Sequence, residues 1–378
     1  MTGDDQERRA WAYLSRVAEP PCAELAELVE HCGPVEAADI IHRGHEPEKL
    51  RGKVKARREC DYAADDLDVL DRLGGRLITP DDEEWPYLSF VGFDNDAMQA
   101  REYSAPPLVL WAVGPARLDG VVERSAAIVG TRACTAYGEQ VASELAAGLV
   151  ERDAAVVSGG AFGIDGAAHR AALACEGVTV AVLASSVDVP YPSGHSALLH
   201  RISESGLLLS EYPPGERPTR YRFLTRNRLV AALSRATVVV EAGLRSGAAN
   251  TAGWAKAMGR PLCAVPGPVT SAASAGCHVL LRDKDTSLVD RAEQIVELIG
   301  RIGELADEPE HPVTRLDGLT PDQRAVYEAL PARGWLNLEQ VAIGAALAPE
   351  RALGPLALME LSGLVEKRDG RWRIVRAA

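Results

Sequence analysis

The alternation of short apolar runs with helical patterns between residues 126 and 300 constrains the fold more than any other feature of the chain. The apolar runs have strand length and read AAIVG, AAVVSGG, VTVAVLASS, GLLLSEY, ATVVVEAG and PLCAVPG. Helical patterns such as YGEQVASELAAGLVERD separate them. Continuous apolar strands suit a sheet that is covered on both faces, and strand–helix alternation favours parallel strands. The sequence therefore predicts an α/β fold with a doubly wound, Rossmann-like parallel sheet.

The 378 residues exceed one ordinary domain, and the pattern changes on either side of the predicted sheet. We predict a small helical N-terminal domain of SAM-like or helix-hairpin-helix-like type (1–70), a core domain (71–300), an acidic linker (301–318) and a C-terminal winged-helix domain (319–378). The winged helix is predicted from three helical patterns and a terminal hairpin around Asp369-Gly370. Thr320 is expected to cap the first of these helices, with Pro321 at its first position.

The formal net charge of −13 is unevenly distributed. Residues 1–120 carry 14 basic and 25 acidic side chains (14 − 25 = −11), whereas residues 121–300 carry 17 of each. A basic cluster in the neutral middle can therefore create a local positive surface. The first residues lack the pattern of a signal peptide, and no run of eighteen apolar residues occurs, so we expect a cytoplasmic protein that does not enter a membrane. The seven scattered cysteines form no C-x-x-C pair, which favours reduced thiols.

Ligands of an open parallel sheet bind beyond the carboxyl ends of its strands, where loops lead into helices. Three such loops carry turn glycines and hydroxyl groups, and the first and third also carry an arginine, Arg132 and Arg245. These are the groups that bind anions near a helix N-terminus. The predicted phosphate-binding residues of these loops are Gly130, Thr131 and Arg132 in the first, Ser158, Gly159, Gly160 and Gly163 in the second, and Ser246, Gly247 and Thr251 in the third.

Some residues of these loops also suit a purely structural role. Arg132 also suits a solvent-exposed arginine beside a capped turn. Asp165 and His169 lie four residues apart on the helix after the second loop, close enough for acid–base chemistry, but structural hydrogen bonds are the favoured interpretation. The second loop matches neither the dinucleotide motif nor the P-loop motif, and no metal-ligand cluster or nucleophile–base pair emerges. We therefore predict binding without catalysis, with no cofactor and no metal.

A second anion-binding feature is the segment RPTRYRFLTRNRLVAALS, residues 217–234, which holds five arginines and no acidic residue. We expect Arg226, Asn227 and Arg228 to begin a helix, where the dipole and the unpaired amides favour an anion, and Arg222 to join the same surface. The alternative is ion pairing with the acidic N-terminal region. Tyr221 and Phe223 alternate with the arginines and are candidate stacking platforms for bases, although Phe223 equally suits a core position.

In order and spacing, these motifs resemble the DNA-processing protein A (DprA, or Smf) family. The matching elements span about residues 120–290 and read IVGTRACTAYG, VVSGGAFGIDGAAHRAAL, VAVLASSVDVPYPSGH, LLLSEYPPG, FLTRNRLVAALS, VVVEAGLRSGAANTA and AVPGP. The resemblance implies a homodimer that binds single-stranded DNA cooperatively, protects incoming DNA in natural transformation and helps load the RecA recombinase. It also implies phosphate contacts at Arg132, at the loop 158–160, and at Arg226 and Arg228.

The chain departs from the family pattern in two loops. The family commonly has Phe-Pro before the Arg-Asn-Arg element, where this chain has Leu224 and Thr225 after the phenylalanine. It commonly has asparagine in the loop after Tyr-Pro, where this chain has His195, and Ser193 stands there without a lysine nearby. We therefore expect the strength of DNA binding to differ more than the fold.

Two other functions stay open at this point. A nucleotide-processing enzyme of the nucleoside-monophosphate hydrolase type shares a doubly wound fold, but VVVEAGLRSG and VPGPVTSAA do not match its Pro-Gly-Gly-x-Gly-Thr-x-x-Glu element. A regulator of double-stranded DNA would act through the winged helix. Against that function, residues 320–378 carry 8 basic and 7 acidic side chains, and the pattern NLEQVAIGAAL is nearly uncharged.

Overall fold

A computed structural model describes residues 3–300 and 316–375. The chain divides into two compact units, the first ending at Ala306 and the second beginning at Asp307. Most of the predicted linker, residues 301–315, lies outside the described residues. Within the described ranges, no individual helix has both the length and the apolar character needed to cross a membrane; two short helices, Leu338–Gly344 and Pro349–Leu361, meet that criterion only jointly, with a bend of 101° between them.

The first unit contains a nine-stranded sheet in the order β1-β2-β6-β5-β4-β3-β7-β8-β9. Its strands are β1 (Gly75–Ile78), β2 (Leu110–Val113), β3 (Ser125–Val129), β4 (Ala155–Ser158), β5 (Thr179–Val182), β6 (Leu207–Ser210), β7 (Ala236–Val239), β8 (Leu262–Ala264) and β9 (Thr286–Leu288). Strands β3 to β9 pair in parallel, and β2 pairs antiparallel with β1 and β6. The predicted parallel sheet is confirmed. The strand order reverses between β3 and β7, which opens a crevice at their carboxyl ends.

Helices cover both faces of this sheet. They are α1 (Gly3–Val17), α2 (Ala23–Cys32), α3 (Pro34–His42), α4 (Glu48–Val54), α5 (Ala63–Arg72), α6 (Tyr87–Phe90), α7 (Asp96–Gln99), α8 (Leu118–Glu123), α9 (Ala136–Val150), α10 (Ile164–Ala174), α11 (Ser196–Ser205), α12 (Arg220–Ala232), α13 (Gly247–Ala257), α14 (Ala275–Leu280) and α15 (Ala292–Ile299). The apolar runs are continuous because both faces of the sheet are buried, as strand β3 shows. Its Ala127 and Val129 join the core formed with α12 and α13, whereas Ala126 and Ile128 join the core formed with α9, α10 and α15.

The five N-terminal helices form a third core together with one side of the sheet. Trp11, Leu14 and Ile41 from these helices share it with Trp111 of β2 and Leu208 of β6. The helices and the sheet therefore belong to one compact unit. The predicted boundary between residues 70 and 71 stays a prediction.

The second unit consists of α16 (Pro321–Ala329), β10 (Leu336–Asn337), α17 (Leu338–Gly344), α18 (Pro349–Leu361), β11 (Val365–Arg368) and β12 (Arg371–Ile374), with sheet order β10-β12-β11. Thr320 caps α16 as predicted: its hydroxyl accepts from the Gln323 amide at 3.3 Å, and the Gln323 side chain accepts from the Thr320 amide at 2.8 Å. Asp369 and Gly370, with φ values of 51° and 74°, form the predicted hairpin turn. This element order is the one expected of a winged helix, and the assignment of residues 319–378 as a winged-helix domain stays a prediction.

Candidate nucleic-acid interface

A cleft of about 640 Å³ lies at the carboxyl edge of the sheet, where the strand order reverses between β3 and β7. We call it the sheet-edge cleft. Nine of the fourteen residues predicted from the sequence line it: Gly130, Thr131, Arg132, Gly159, Arg226, Asn227, Ser246, Gly247 and Thr251. Three separate loops and one helix therefore converge on a single surface, and contact of these residues with DNA stays a prediction.

Glu241, at the end of β7, holds the loop between β3 and α9. The Thr131 amide donates to the Glu241 carbonyl oxygen at 2.7 Å. The Glu241 carboxylate accepts from the amide and the hydroxyl of Thr135, at 2.9 and 2.7 Å. Because this carboxylate is buried and occupied, it serves to fix the loop that carries Arg132.

Asp165 organises the loop between β4 and α10 in a similar way. Its carboxylate accepts from the amides of Gly159 and Ala161, at 3.1 and 3.4 Å. A Cβ atom at Gly159 would lie 2.6 Å from the Arg226 guanidinium and 2.8 Å from Asp165, so only glycine fits there. His169 is fully buried, and its Nδ1 lies 2.7 Å from the hydroxyl of Thr179. Asp165 and His169 thus make the structural hydrogen bonds favoured above.

The Arg-Asn-Arg triplet does not begin a helix, which corrects that prediction. Helix α12 begins at Arg220, and the hydroxyl of Thr219 caps it by accepting from the Arg222 amide at 3.3 Å. Residues 226–228 therefore lie in the helix interior, where the backbone amides are already bonded within the helix. The positive end of the helix dipole lies instead at Arg220, where α12 begins.

Arg226 is buried in the floor of the sheet-edge cleft. Its Nη1 donates to the carbonyl oxygens of Gly159, at 2.7 Å, and Val182. Burial lowers the pKa of the Arg226 guanidinium to about 10, against the opposing effect of nearby Asp165, so the side chain stays charged at neutral pH. Arg226 therefore lends positive charge to the cleft while bracing the loops beneath it.

Arg228 and Arg222 are ion-paired inside the protein, which corrects their assignment as phosphate contacts. The fully buried guanidinium of Arg228 donates to both carboxylate oxygens of Glu211, at 2.7 and 2.6 Å. Arg222, 5% exposed, pairs with Glu216 and with Glu19 of the N-terminal region, so the ion-pairing alternative holds for this residue. A buried charge requires a partner, and here the partners are carboxylates.

Like Arg222 and Arg228, the last three predicted residues do not line the cleft: Ser158, Gly160 and Gly163. The buried hydroxyl of Ser158 donates to the carbonyl oxygen of Ile128 at 2.6 Å. Gly163 has a φ of +78°, and a Cβ atom there would lie 2.2 Å from the carbonyl oxygen of Thr131. The glycine at 163 therefore allows the first two loops to pack closely against each other.

Exposed cations at the cleft come from three places in the sequence. Arg132, Arg220 and Arg245 line it with exposed side chains, and the described residues place no carboxylate within ion-pair distance of any of them. Arg220 was not among the predicted site residues, and Arg245 was noted in the third loop but not assigned as a phosphate contact. Arg220 was detectable, since Thr219 before it is a favourable helix cap.

Aromatic side chains and a helix N-terminus complete the lining. Phe223 and Tyr191 lie in the cleft with ring centroids 5.5 Å apart, and the Arg132 guanidinium sits 4.9 Å from the Phe223 ring. Ser246 caps α13 by accepting from the Ala249 amide at 3.3 Å. The first turn of α13 therefore adds a helix dipole to the positive charge of the cleft. Tyr191 was not predicted as a stacking platform for bases. Tyr221, predicted as one, does not line the cleft and packs edge-on against Tyr103 at 4.8 Å.

Comparison with known proteins identifies the family. Residues 76–300 match the model of the DNA recombination-mediator protein A family. A Mycobacterium tuberculosis protein provisionally named DNA processing protein DprA is 65% identical over 373 residues, covering 99% of this chain and 96% of the relative. The chain belongs to the DprA family. The resemblance drawn from the sequence motifs is thereby confirmed.

Two solved DprA structures share the fold. DprA from Streptococcus pneumoniae has 29% identity and a TM-score of 0.61, covering 76% of this chain and 95% of that chain. DprA from Helicobacter pylori, a structure described for its unique single-stranded DNA binding mode, has 29% identity and a TM-score of 0.50, covering 59% and 94%. These two neighbours confirm the α/β, Rossmann-like fold class.

Proposed function

We propose that this DprA-family protein binds single-stranded DNA in the sheet-edge cleft, without cleaving it, and acts as a recombination mediator for incoming DNA. One observation carries the proposal: Arg132 and Arg245 from two loops and Arg220 from the start of α12 reach the same cleft, with exposed guanidinium groups and no carboxylate partner in the described structure. Unpaired, exposed guanidinium groups are suited to bidentate phosphate contacts.

The chemistry of the lining favours a single strand over a duplex. The N-terminal turn of α13, at Ser246 and Gly247, presents amides and a positive dipole to a phosphate. Phe223 and Tyr191 offer ring faces on which unpaired bases stack. A duplex keeps its bases stacked internally, so it would use the charges but not the rings. The Helicobacter pylori relative, described by its single-stranded DNA binding, supports the same choice.

Binding without catalysis is supported by the state of the ionisable groups around the cleft. Asp165 and Glu241 accept hydrogen bonds from backbone amides of the loops they hold. Burial lowers the pKa of His169 to about 3, so this imidazole is neutral at physiological pH. Asp165 and Glu241 thus hold the loops of the cleft, and His169 bonds to the Thr179 hydroxyl of β5 inside the fold. The proposed binding mode needs no cofactor.

Family membership supports the wider role. We infer that the protein works in the cytoplasm as a homodimer, protects incoming DNA in natural transformation and helps to load the RecA recombinase. The residues that line the cleft all come from one copy of this chain, so the binding is testable on the purified protein.

The test is a titration of a fluorescent oligonucleotide across a salt series, with wild type and the variant Arg132→Ala, Arg220→Ala, Arg245→Ala. Wild type should prefer the single strand, and loss of three phosphate contacts should flatten the slope of log K against log salt by about 2, or about 0.7 for each contact. Arg282→Ala is the matched control, since it removes an exposed arginine before β9, at the opposite edge of the sheet. An unchanged salt slope in the triple variant would refute the proposal. Equal affinity of wild type for duplex and single-stranded DNA would favour a regulator of double-stranded DNA. Release of free base from nucleotides would favour the nucleoside-monophosphate hydrolase.

A further inference from the structure

The N-terminal helices hold the segment that leads into α12 through Pro214, Glu216 and Arg222, which do not line the sheet-edge cleft. Arg16, near the end of α1, donates from Nη2 to the Pro214 carbonyl oxygen at 2.7 Å, and its Nη1 lies 3.5 Å from the Glu216 carboxylate. Glu19, just after α1, accepts two hydrogen bonds from Arg222, at 2.6 and 2.9 Å. The two ends of the segment are therefore tied to the same helix.

The ion pairs of this contact leave neither arginine available to a ligand. The Arg222 guanidinium also binds Glu216 at 2.7 Å and lies 4.3 Å from the centroid of the Tyr212 ring. Arg16 forms two hydrogen bonds of 2.7 Å with Asp66 of α5. Since the guanidinium groups face carboxylates on nearly every side, their contribution is geometric and not an added attraction for phosphate.

The segment anchored in this way becomes one wall of the sheet-edge cleft. Pro218, Thr219, Arg220 and Phe223 all line the cleft, and they follow within nine residues of Pro214. The loop after β5 supplies a second anchor on the sheet side. There, the amide and hydroxyl of Ser186 donate to the Glu216 carbonyl oxygen at 3.0 and 3.1 Å. The position of the wall thus depends on the sheet and on the N-terminal helices together.

We propose that Glu19 and Arg222 are positioning residues for DNA binding, through which the N-terminal helices orient the start of α12 in the cleft. The inference rests on the proposed function, because it requires that the cleft bind DNA. It assigns to the acidic N-terminal region a role in DNA affinity that does not involve contact with the strand.

Electrostatics and side-chain positioning predict opposite effects of Glu19→Gln on the affinity for DNA. Glu19→Gln removes a negative charge from the protein, and by electrostatics alone this should strengthen the binding of a polyanion. The same change weakens the hold on Arg222, which by positioning should reduce affinity. Glu19→Asp keeps the charge but shortens the side chain by one methylene, so that electrostatics predicts no change and positioning predicts weaker binding.

The experiment measures the affinity of the full-length protein for fluorescent oligothymidylate, together with the salt slope and the thermal unfolding curve. Glu24→Gln is the matched control: it neutralises a carboxylate of the N-terminal helices that pairs with Lys53 and not with the segment that leads into α12. We expect Glu19→Gln to bind the oligonucleotide about fivefold more weakly than wild type, at the lower end of typical coupling between sites, and with a shallower salt slope. Glu19→Asp should also bind more weakly than wild type. Glu24→Gln should bind like wild type.

The shallower slope separates positioning from simple instability, because a smaller folded fraction lowers apparent affinity without changing the number of phosphate contacts. Binding by Glu19→Gln that equals or exceeds that of wild type overturns the inference, as does an unchanged salt slope. Absence of binding by wild type instead refutes the proposed function, so the two failures are distinguishable.

Discussion

Replacing Arg228 with methionine tests whether the second arginine of the Arg-Asn-Arg element serves the fold or the ligand. The Arg228 side chain is 0% exposed and its partner Glu211 is 2% exposed, with two hydrogen bonds between them. The Nε of Arg228 donates a third bond, to the Ala105 carbonyl oxygen at 3.0 Å. Methionine keeps much of the side-chain volume but leaves the Glu211 charge buried without a partner.

The size of the effect follows from these contacts. Leaving one member of a buried ion pair uncompensated costs about 3–5 kcal/mol, and loss of the hydrogen bond to Ala105 costs about 1 kcal/mol more. For a folded unit of this size, such a loss lowers the melting temperature by roughly 10–20 °C. The double variant Arg228→Met with Glu211→Met should recover most of this loss, because apolar side chains often replace a buried ion pair at little cost.

Thermal and urea unfolding of the full-length variants, followed by circular dichroism, measure this directly. DNA titrations below the melting temperature should give Arg228→Met an affinity within about twofold of wild type, since three cleft arginines remain. The reasoning is refuted if Arg228→Met melts like wild type but loses DNA affinity. In that case Arg228 would leave its pair with Glu211 to reach the strand.

Two further predictions concern stability. Because burial lowers the pKa of His169 from 6.5 to about 3, the unfolded chain binds the extra proton below pH 6.5. The free energy of unfolding should therefore fall by about 1.4 kcal/mol for each pH unit between 6.5 and 3, and urea titrations should show this part of the pH dependence missing in His169→Asn. Gly163→Ala should lower the melting temperature, since φ is +78° and the new Cβ would lie 2.2 Å from the carbonyl oxygen of Thr131. Gly247→Ala, with nothing within 4 Å of its Cβ, should melt like wild type; equal melting temperatures for these two variants would contradict the assignment of Gly163 to loop packing.

The sheet and the place of its cleft were predictable from sequence because both follow from local patterns. The apolar run at Ala126–Val129 is continuous since its alternate residues face different helix layers. A parallel sheet then forces the loops after β3, β4 and β7 to one edge, which brings Arg132, Gly159 and Ser246 together without any knowledge of the side-chain contacts.

The partners of the buried arginines were not predictable in the same way. Glu211 lies 17 residues from Arg228, and Glu19 lies 203 residues from Arg222. Neither pairing leaves a periodic signal, so a stretch of five arginines looked like one positive surface. The start of α12 was in principle predictable, because Thr219 is a good helix cap. The Arg-Asn-Arg triplet instead suggested a start at Arg226, six residues after the observed start at Arg220.

The arginine-rich segment therefore divides into two sets with different physical roles. Arg222 and Arg228 face carboxylates and Arg226 faces backbone carbonyls, so these three fix α12 against the N-terminal helices and the sheet. Arg220 remains exposed on the cleft side, and the fold adds Arg132 and Arg245 to it from other loops. A basic tail carries its charges in any conformation, whereas this cleft gathers them only when the sheet edge is folded. Affinity for DNA should consequently depend on Arg222 through the position it gives to the start of α12, and on the exposed arginines through the number of phosphates they neutralise.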